Sequence, residues 1–275
     1  MRAWRCTSKL EPMRPLSQWP LAERARIAGV FTDIDDTLTT EGAITADALG
    51  ALADLHAAGI HVIAITGRPV GWSEPFALQW PVDAIVAENG AVALVRDQAG
   101  QLRRLYQQAP SVRAANFVRM QKVAQRILSE VPGATLARDS AGRETDIAID
   151  HSEFTHLPAG TIAQVVQLMQ SEGMNATVSS IHINGWYGQH NKLLGARWIV
   201  RELLGRDLDA QIAQWAYVGD STNDELMFLH FAHSIGVANI RRFEAQLAHP
   251  PRYITPGERG AGFAQVAQAL LSRGA

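Results

Sequence analysis

The stretch FTDIDDTL, from Phe31 to Leu38, places three carboxylates directly after a short apolar run. The run over 27–34 predicts a buried strand, and acids leaving such a strand are costly unless a cation neutralises them. Because Asp33 and Asp35 are two positions apart, one side chain and a neighbouring backbone carbonyl can face the same ion. Ligation by oxygen alone suits Mg²⁺. A solvated acidic turn remains the alternative for this stretch taken by itself.

The chain on either side of this stretch alternates between strands and helices. Thr45 suits the N-cap of a helix over 46–58 that Gly59 closes, and the β-branched run 60–66 predicts a second buried strand. A strand, a helix and a strand at this spacing form a βαβ unit, so we expect a parallel sheet that is covered on both faces. Further strands are predicted at 84–87, 91–95 and 102–106, the last two as a hairpin.

From about residue 108 the pattern changes to helices and grouped short strands, which indicates an inserted α+β region. The predicted fold is therefore α/β: a Rossmann-like, doubly wound parallel sheet with an inserted α+β domain. The predicted boundaries are an N-terminal extension at 1–26, expected to be partly disordered, a core at 27–107 and 188–275, and the insertion at 108–187. Inside the insertion we predict helices over 111–131 and 158–172 and strands over 134–138, 145–149, 176–179 and 181–184. In the returning core we predict a helix that ends at 204, a strand over 214–219, a helix from 222, a strand over 234–238 and a helix over 262–271.

Composition excludes several classes of protein. Apolar residues make up 47% of the 275 residues and charged residues 19%, which argues against a disordered chain or a coiled coil. The net charge is −2 without long runs of one sign, so we expect neither a nucleic-acid partner nor a membrane partner. Cys6 is the one cysteine, so an internal disulfide is excluded and a cytoplasmic location is expected. Met13 is an alternative start of translation.

Three more loops carry polar groups suited to phosphate chemistry. Thr66-Gly67-Arg68 follows the strand 60–66 and offers a hydroxyl and backbone amides to an oxyanion, although an ordinary turn would have the same sequence. Lys192 stands at a helix start, where the helix dipole disfavours a cation, so an anionic partner would explain it, although a lone lysine is usually exposed to solvent. The segment Gly219 to Asp224 follows another buried strand, with simple helix capping as its alternative reading. Parallel strands bring such loops to one edge of the sheet, where ligands bind.

In this order and spacing, the four loops resemble the motifs of the haloacid dehalogenase superfamily. DIDDTL corresponds to the first motif, Thr66 of ITGRP to the second, Lys192 to the third and GDSTND to the fourth. An insertion between the second and third motifs is where subfamily IIB carries its C2-type cap. That subfamily includes Cof-like, sucrose-phosphate and mannosyl-phosphoglycerate phosphatases, and AENGAV (87–92) resembles its core strand and hairpin. Asp36 is a departure, because many relatives carry glycine there.

The resemblance implies a role for each matching residue. Asp33 would be the nucleophile that forms an aspartyl-phosphate, and Asp35 would protonate the leaving oxygen and then activate water. Thr66, Gly67 and Lys192 would bind the transferring phosphoryl group. The implied cofactor is Mg²⁺. Its implied ligands are Asp33, the backbone carbonyl of Asp35, Asp220, Asn223 and Asp224.

Specificity is expected mainly in the cap. Candidate substrate-binding residues are Arg68, Asn89, Arg138, Arg143, His182, Asn184 and Trp186, with a plain edge strand as the alternative for 182–187. The nine histidines are expected to be scattered on the surface and the seven tryptophans to lie in the core.

The implied function is Mg²⁺-dependent hydrolysis of a small phosphorylated metabolite, with a sugar phosphate as the expected substrate, by a monomer or small homo-oligomer. A phosphomutase, which would need clustered cap arginines, and a non-catalytic binding protein are the alternatives.

Overall fold

The computed structural model describes residues 12–272, and its centre is a nine-stranded mixed sheet. In chain order the strands are β1 (Arg14–Pro15), β2 (Gly29–Thr32), β3 (Thr39–Thr40), β4 (Ala43–Ile44), β5 (His61–Ile65), β6 (Ala84–Ala87), β7 (Val92–Arg96), β8 (Leu102–Tyr106), β9 (Thr135–Leu136), β10 (Ile147–Asp150), β11 (Asn175–Val178), β12 (His182–Trp186), β13 (Trp215–Gly219), β14 (His233–Gly236) and β15 (Tyr253–Ile254). The order across the large sheet is β1-β15-β14-β13-β2-β5-β6-β7-β8. Every neighbouring pair from β1 across to β6 is parallel. Strand β7 pairs antiparallel with β6 and forms an antiparallel hairpin with β8.

Helices cover both faces of this sheet, as expected for a doubly wound α/β fold. The helices are α1 (Leu21–Arg24), α2 (Ala46–Ala57), α3 (Val70–Gln79), α4 (Pro110–Glu130), α5 (Ala159–Ser171), α6 (Lys192–Leu204), α7 (Glu225–His230) and α8 (Arg259–Leu271). One apolar cluster packs α2, α3 and α8 against one face, and a second packs α6 and α7 against the other. Each buried strand is apolar because neither of its faces meets water.

A separate four-stranded antiparallel sheet, in the order β11-β12-β10-β9, lies between β8 and α6 in the chain. Helices α4 and α5 cover one face of it through a third apolar cluster. In the register of β12 with its neighbours, Asn184 is opposite both Ala148 and Thr177. Because side chains alternate along a strand, His182 and Asn184 share the face that lies away from Ile183, whereas Trp186, at the end of β12, packs into the same apolar cluster as Ile183.

The secondary-structure predictions are confirmed in element order and differ at several boundaries. The predicted strands 134–138 and 145–149 shrink to β9 and β10, because residues 138–146 form a loop whose charged side chains bind the large-sheet domain. The chain after Ser221 begins with a 3₁₀ turn over Thr222–Asp224 before α7, and α8 begins at Arg259 rather than 262. Thr45 occupies the N-cap of α2 as predicted, although its hydroxyl has no hydrogen-bond partner among the described residues.

The N-terminal segment is part of the core from Pro12 onward. Strand β1 pairs with β15, and Leu16 and Trp19 are buried in the first apolar cluster. Cys6 and the other residues up to 11 lie outside the described part. Within 12–272, no helix combines the length and the apolar character needed to cross a bilayer.

Candidate active site

The nucleophile candidate Asp33 lies directly after β2, at the carboxyl edge of the large sheet. Strands β5 and β13 flank β2, so the loops that carry Thr66 and Asp220 emerge on either side of Asp33. All three residues are buried, at 4%, 0% and 0% exposure respectively. The short apolar strands therefore bring the predicted polar loops together at one edge, as the topology of a parallel sheet requires.

Lys192 has the anionic partners that its position suggested. Its Nζ lies 3.1 Å from Asp33 Oδ1 and donates to Asp224 Oδ1 at 2.7 Å. The Lys192 side chain is only 3% exposed, so these ion pairs are shielded from solvent screening. Burial opposes a charge on Lys192, but Asp224 and Asp33 outweigh it and raise the pKa of this ammonium group. Lys192 therefore brings a permanent positive charge to Asp33.

Asp224 organises this end of the site through both of its carboxylate oxygens. Oδ1 accepts from Lys192 and from the Tyr217 hydroxyl, while Oδ2 accepts from the backbone of Asp220 at 2.9 Å and of Ser221 at 3.2 Å. Because these four hydrogen bonds reach both of its oxygens, the Asp224 carboxylate is held in one orientation. Sequence reasoning missed Tyr217, whose place in a buried apolar strand gave only a faint signal.

Three carboxylates converge on a point that suits a small cation. One oxygen each from Asp33, Asp220 and Asp224 lies within 4.8 Å of the others. Asp220 Oδ2 accepts from Asn239 Nδ2 at 3.2 Å, whereas Oδ1 is buried without a hydrogen-bond partner among residues 12–272. A buried unpaired carboxylate oxygen is costly unless a cation satisfies it. The donor set thus fits a hard divalent ion such as Mg²⁺.

The other two predicted metal ligands lie differently. Asn223 is half-buried, and its Oδ1 accepts from Ser221 Oγ at 2.9 Å. The carboxylate of Asp35 does not belong to the converging group, because it binds Arg68. This position of the Asp35 side chain leaves only its backbone carbonyl as a candidate ligand, which is the atom the family resemblance implied.

The crowded acids shift one another's pKa values. Burial raises the pKa of Asp33; Lys192 opposes that rise, while Asp224 and Asp35 add to it. Burial, followed by the charges of Asp224 and Asp33, raises the pKa of Asp220 well above its usual range. A cation at this point would oppose both shifts, since it favours the ionised carboxylates.

Asp36 and Arg259 close the first loop at its far side. Asp36 has a φ of +53°, in the left-handed region that favours glycine. Its carboxylate lies 3.0 Å from Arg259 Nε, and its backbone carbonyl accepts from Asn239. These contacts hold a conformation that an aspartate adopts less readily than a glycine.

The second loop faces the inserted domain. Thr66 Oγ1 accepts from the Arg68 backbone at 3.0 Å, and the Gly67 carbonyl accepts from Arg143 at 2.9 Å and from Asn184 at 3.2 Å. A Cβ at Gly67 would lie 3.3 Å from the side chains of both Asn184 and Asn89. The small residue therefore lets the two domains approach closely here.

The structure gives several predicted substrate-binding residues protein partners instead. Arg143 is buried and binds Asp139 at 3.0 Å and Asp146 at 2.8 Å. Asp146 also accepts from Asn184 at 2.9 Å and from Asn89 at 3.3 Å. Arg143, Asp146, Asn184 and Asn89 form a buried network between the domains. Burial raises the pKa of Asp146 to about 7 despite the nearby Arg143.

The remaining three cap candidates lie apart from this network. Arg138 is exposed and stacks over Phe154 at 3.7 Å, away from the carboxylates. The Trp186 indole donates to the His190 carbonyl at 2.9 Å and belongs to the cap core, as expected of tryptophan. His182 pairs with Glu153 at 2.8 Å. The expectation of surface histidines is wrong for four of them, which are buried: His151, His182, His190 and His233.

Arg68 bridges the two domains through three carboxylates. Its guanidinium binds Asp35 at 2.9 Å, Asp139 at 3.0 Å and Glu153 at 2.8 Å. It is only 5% exposed and lies over the Trp72 ring at 4.8 Å.

Glu88, which sequence reasoning missed, is a second bridge between the domains. It is fully buried, and its carboxylate accepts from the backbone amides of Val70, Glu144 and Thr145 and from the Thr145 hydroxyl. Glu88, Asn89 and Gly90 all have positive φ, at 49°, 55° and 105°. The sequence signal that could have pointed to this bridge is an acidic residue among the small and apolar residues of AENGAV.

Comparison with known proteins agrees with the geometry. A family model described as haloacid dehalogenase-like hydrolase matches residues 30–126, and no curated protein sequence matches the chain. Among solved structures, the C-terminal domain of C. albicans trehalose-6-phosphate phosphatase is 14% identical, with a TM-score of 0.66 over 96% of this chain and 98% of that one. Synechocystis sucrose-phosphatase, solved with sucrose and phosphate, is 14% identical, with a TM-score of 0.63 over 88% and 97%.

A sugar phosphatase of haloacid dehalogenase subclass IIB is 16% identical, with a TM-score of 0.59 over 87% of this chain and 97% of that one. At these identities the structural matches show only the fold, which includes the inserted domain. The family model covers the residues of the first two motifs. Residues 30–126 therefore match the haloacid dehalogenase-like hydrolases, and the chain has the fold of a sugar phosphatase of subclass IIB.

Proposed function

We propose that this hydrolase is a Mg²⁺-dependent phosphomonoesterase that acts on a small phosphorylated metabolite, specifically a sugar phosphate. The observation that carries the proposal is the contact of Lys192 Nζ with Asp33, 3.1 Å away, beside an Asp220 oxygen that is buried and has no hydrogen-bond partner within the described part of the chain. An anionic nucleophile can meet an anionic phosphate only where positive charge neutralises both.

The proposed reaction has two steps. Asp33 attacks phosphorus, the bond from phosphorus to the leaving oxygen breaks, and Asp35 gives that oxygen a proton, so an alcohol departs. Water then attacks the aspartyl-phosphate as Asp35 takes a proton from it, which releases phosphate and restores the Asp33 carboxylate. Lys192, Thr66 and the backbone at Gly67 are proposed to bind the non-bridging phosphoryl oxygens.

Mg²⁺, held by Asp33, Asp220, the Asp35 carbonyl and a contribution from Asp224 or Asn223, would supply charge neutralisation to the phosphoryl oxygens. The proposed domain division is a core over 27–107 and 188–275 and a C2-type cap over 108–187. The choice of sugar phosphates is supported by the sucrose- and trehalose-6-phosphate phosphatases that share the fold.

The alternative functions have less support. A phosphomutase would need a second phosphate site made by cap arginines, but Arg143 is occupied by two aspartates and Arg138 stacks on Phe154. A non-catalytic protein would have no need to keep Asp33, Asp220 and Lys192 together. Hydrolysis therefore fits these residues best.

The experiment is phosphate release from a panel of sugar phosphates, with Mg²⁺ and with EDTA. We expect turnover only with the metal, and we expect Asp33→Asn to reduce it at least 10³-fold while keeping the fold, because the change is nearly isosteric. Asp54→Asn, an equivalent change at an exposed position on α2, is the matched control and should keep full activity. More than a few per cent activity in pure Asp33→Asn protein would exclude Asp33 as the nucleophile.

A further inference from the structure

The Arg68 guanidinium donates hydrogen bonds to three carboxylates, which come from two domains. Its Nε lies 3.0 Å from both oxygens of Asp35, and its Nη2 lies 2.9 Å from Asp35 Oδ1 and 2.8 Å from Glu153 Oε1. Its Nη1 binds Asp139 at 3.0 Å. Arg68 and Asp35 belong to the large-sheet domain, whereas Asp139 and Glu153 belong to the inserted domain. The guanidinium is thus the link between Asp35 and the cap.

The two cap carboxylates are themselves fixed in place. Glu153 Oε2 lies 2.8 Å from His182 Nε2, and the Glu153 backbone donates to Asp150 at 2.9 Å. Asp139 Oδ1 lies 3.0 Å from Arg143 Nη2, and Arg143 is held by the buried Asp146. Other residues of the cap therefore hold each of these two carboxylates in position where it binds Arg68.

Glu153 is ionised over the whole working range of pH. Burial tends to raise its pKa, but hydrogen bonds from His182 and Arg68 prevail and lower it to about 2. A planar guanidinium matches a carboxylate through two parallel hydrogen bonds, so a fixed Arg68 fixes the rotamer of Asp35 as well. Without the cap acids, Arg68 would regain its side-chain freedom, and Asp35 would lose its oriented partner.

We propose that Glu153 and Asp139 are positioning residues, which hold Arg68 on Asp35 and so make the orientation of Asp35 depend on the closed cap. The inference rests on the proposed function, in which Asp35 transfers a proton to the leaving oxygen. It gives the cap a part in the chemical step in addition to any recognition of the leaving group. It also replaces the predicted substrate-binding role of Arg68 with an orienting one.

The test uses a series of substituted phenyl phosphates whose leaving groups differ in basicity but hardly in size. For each ester, kcat/KM reports phosphoryl transfer to Asp33, and its logarithm is plotted against the pKa of the leaving phenol. A poor leaving group needs the proton from Asp35, whereas a good one such as p-nitrophenolate needs it little.

In Glu153→Gln and Asp139→Asn we expect a steeper negative slope. The loss should be about 10-fold or more for the most basic phenol and less than threefold for p-nitrophenol, since a positioned proton donor contributes roughly 10²–10⁴-fold when fully effective. Glu153→Asp, which keeps the charge, should recover part of the slope. Glu130→Gln, on the exposed surface of α4, removes an equal cap charge far from Arg68 and should match the wild type.

The same series separates the possible roles. A recognition or purely structural role for Glu153 would lower all esters equally and leave the slope unchanged, and that result would overturn the inference while leaving the hydrolase proposal intact. In an Arg68→Ala background, Glu153→Gln should change the slope no further, because the two residues act as one unit. A wild-type protein that hydrolyses none of these esters with Mg²⁺ would overturn the proposed function and the inference with it.

Discussion

Replacing Glu88 with alanine should uncouple the two domains and destabilise the whole chain. The Glu88 carboxylate accepts from Val70 N at 3.0 Å, Glu144 N at 3.1 Å and Thr145 N at 2.5 Å, and from Thr145 Oγ1 at 2.5 Å. Burial raises the pKa of Glu88, and the hydrogen bonds from Thr145 and Val70 oppose that rise. Truncation leaves four donors without their acceptor at a site where the glutamate is 0% exposed.

The magnitude follows from the number of orphaned donors. At about 1 kcal/mol each, the low end for an unmade buried hydrogen bond, the loss is about 4 kcal/mol. That is a large part of the 5–15 kcal/mol that stabilises an ordinary domain. With an m-value of about 3 kcal/mol/M for a chain of this size, the urea midpoint should fall by about 1.3 M. Glu88→Gln keeps one acceptor oxygen and should lose about 1–2 kcal/mol.

The assay is equilibrium urea unfolding followed by far-UV circular dichroism, with the free energy of unfolding compared between variants. Glu74→Ala is the matched control, because Glu74 is an acid on α3 that is 32% exposed and paired with Arg104. Its loss should cost at most about 1 kcal/mol, as for other partly exposed ion pairs. A shift below 1 kcal/mol for Glu88→Ala would refute the reasoning, since the four donors would then have found other partners.

Two further predictions concern packing and pH. Gly195→Ala should lower the free energy of unfolding, measured by heat or urea, by several kcal/mol, because the new Cβ would lie 2.6 Å from the Cα of Gly90. Gly50→Ala, in open space on α2, should raise it by about 0.5–1 kcal/mol. Equal effects of the two changes would contradict this packing. Burial raises the pKa of Asp33 to about 7, against about 3.9 for an unfolded aspartate, so the stabilising contribution of its proton is present below about pH 4 and is lost as pH rises through 7. In EDTA, the melting temperature should therefore fall from pH 5 to pH 8 by more in the wild type than in Asp220→Asn, and Mg²⁺ should raise it more at pH 8 than at pH 5.5; a wild-type profile parallel to that of Asp220→Asn would count against the acid cluster.

The reach of sequence reasoning follows from where each residue stands relative to a strand. Asp33, Thr66 and Asp220 could be found because each follows a short apolar strand, and parallel topology alone brings their loops together. Glu88 escaped because its partners, at 144 and 145, belong to another domain, and nothing local distinguishes a bridging acid from a buried loop acid. The acids that bind Arg143 are its neighbours in the chain, Asp139 and Asp146, but only the packing of their loop brings them onto the guanidinium, so the sequence alone left Arg143 as a substrate-binding candidate.

The pairing of β2 with β13 also has a consequence for how the chain folds during synthesis. Val30 lies beside Ala216 in the centre of the large sheet, and the whole of the four-stranded sheet is translated between them. At about 5–20 residues per second, the ribosome needs on the order of 10–40 s to make that intervening chain. The inserted domain has its own apolar cluster and neighbouring contacts, so we expect it to fold first, while β2 cannot yet pair with β13. The nucleophile strand is thus made early, soon after β1 and α1, and one of its edges stays unpaired until most of the chain has been made. An unpaired strand edge can pair with another chain, so this interval is when the new protein is most prone to aggregate.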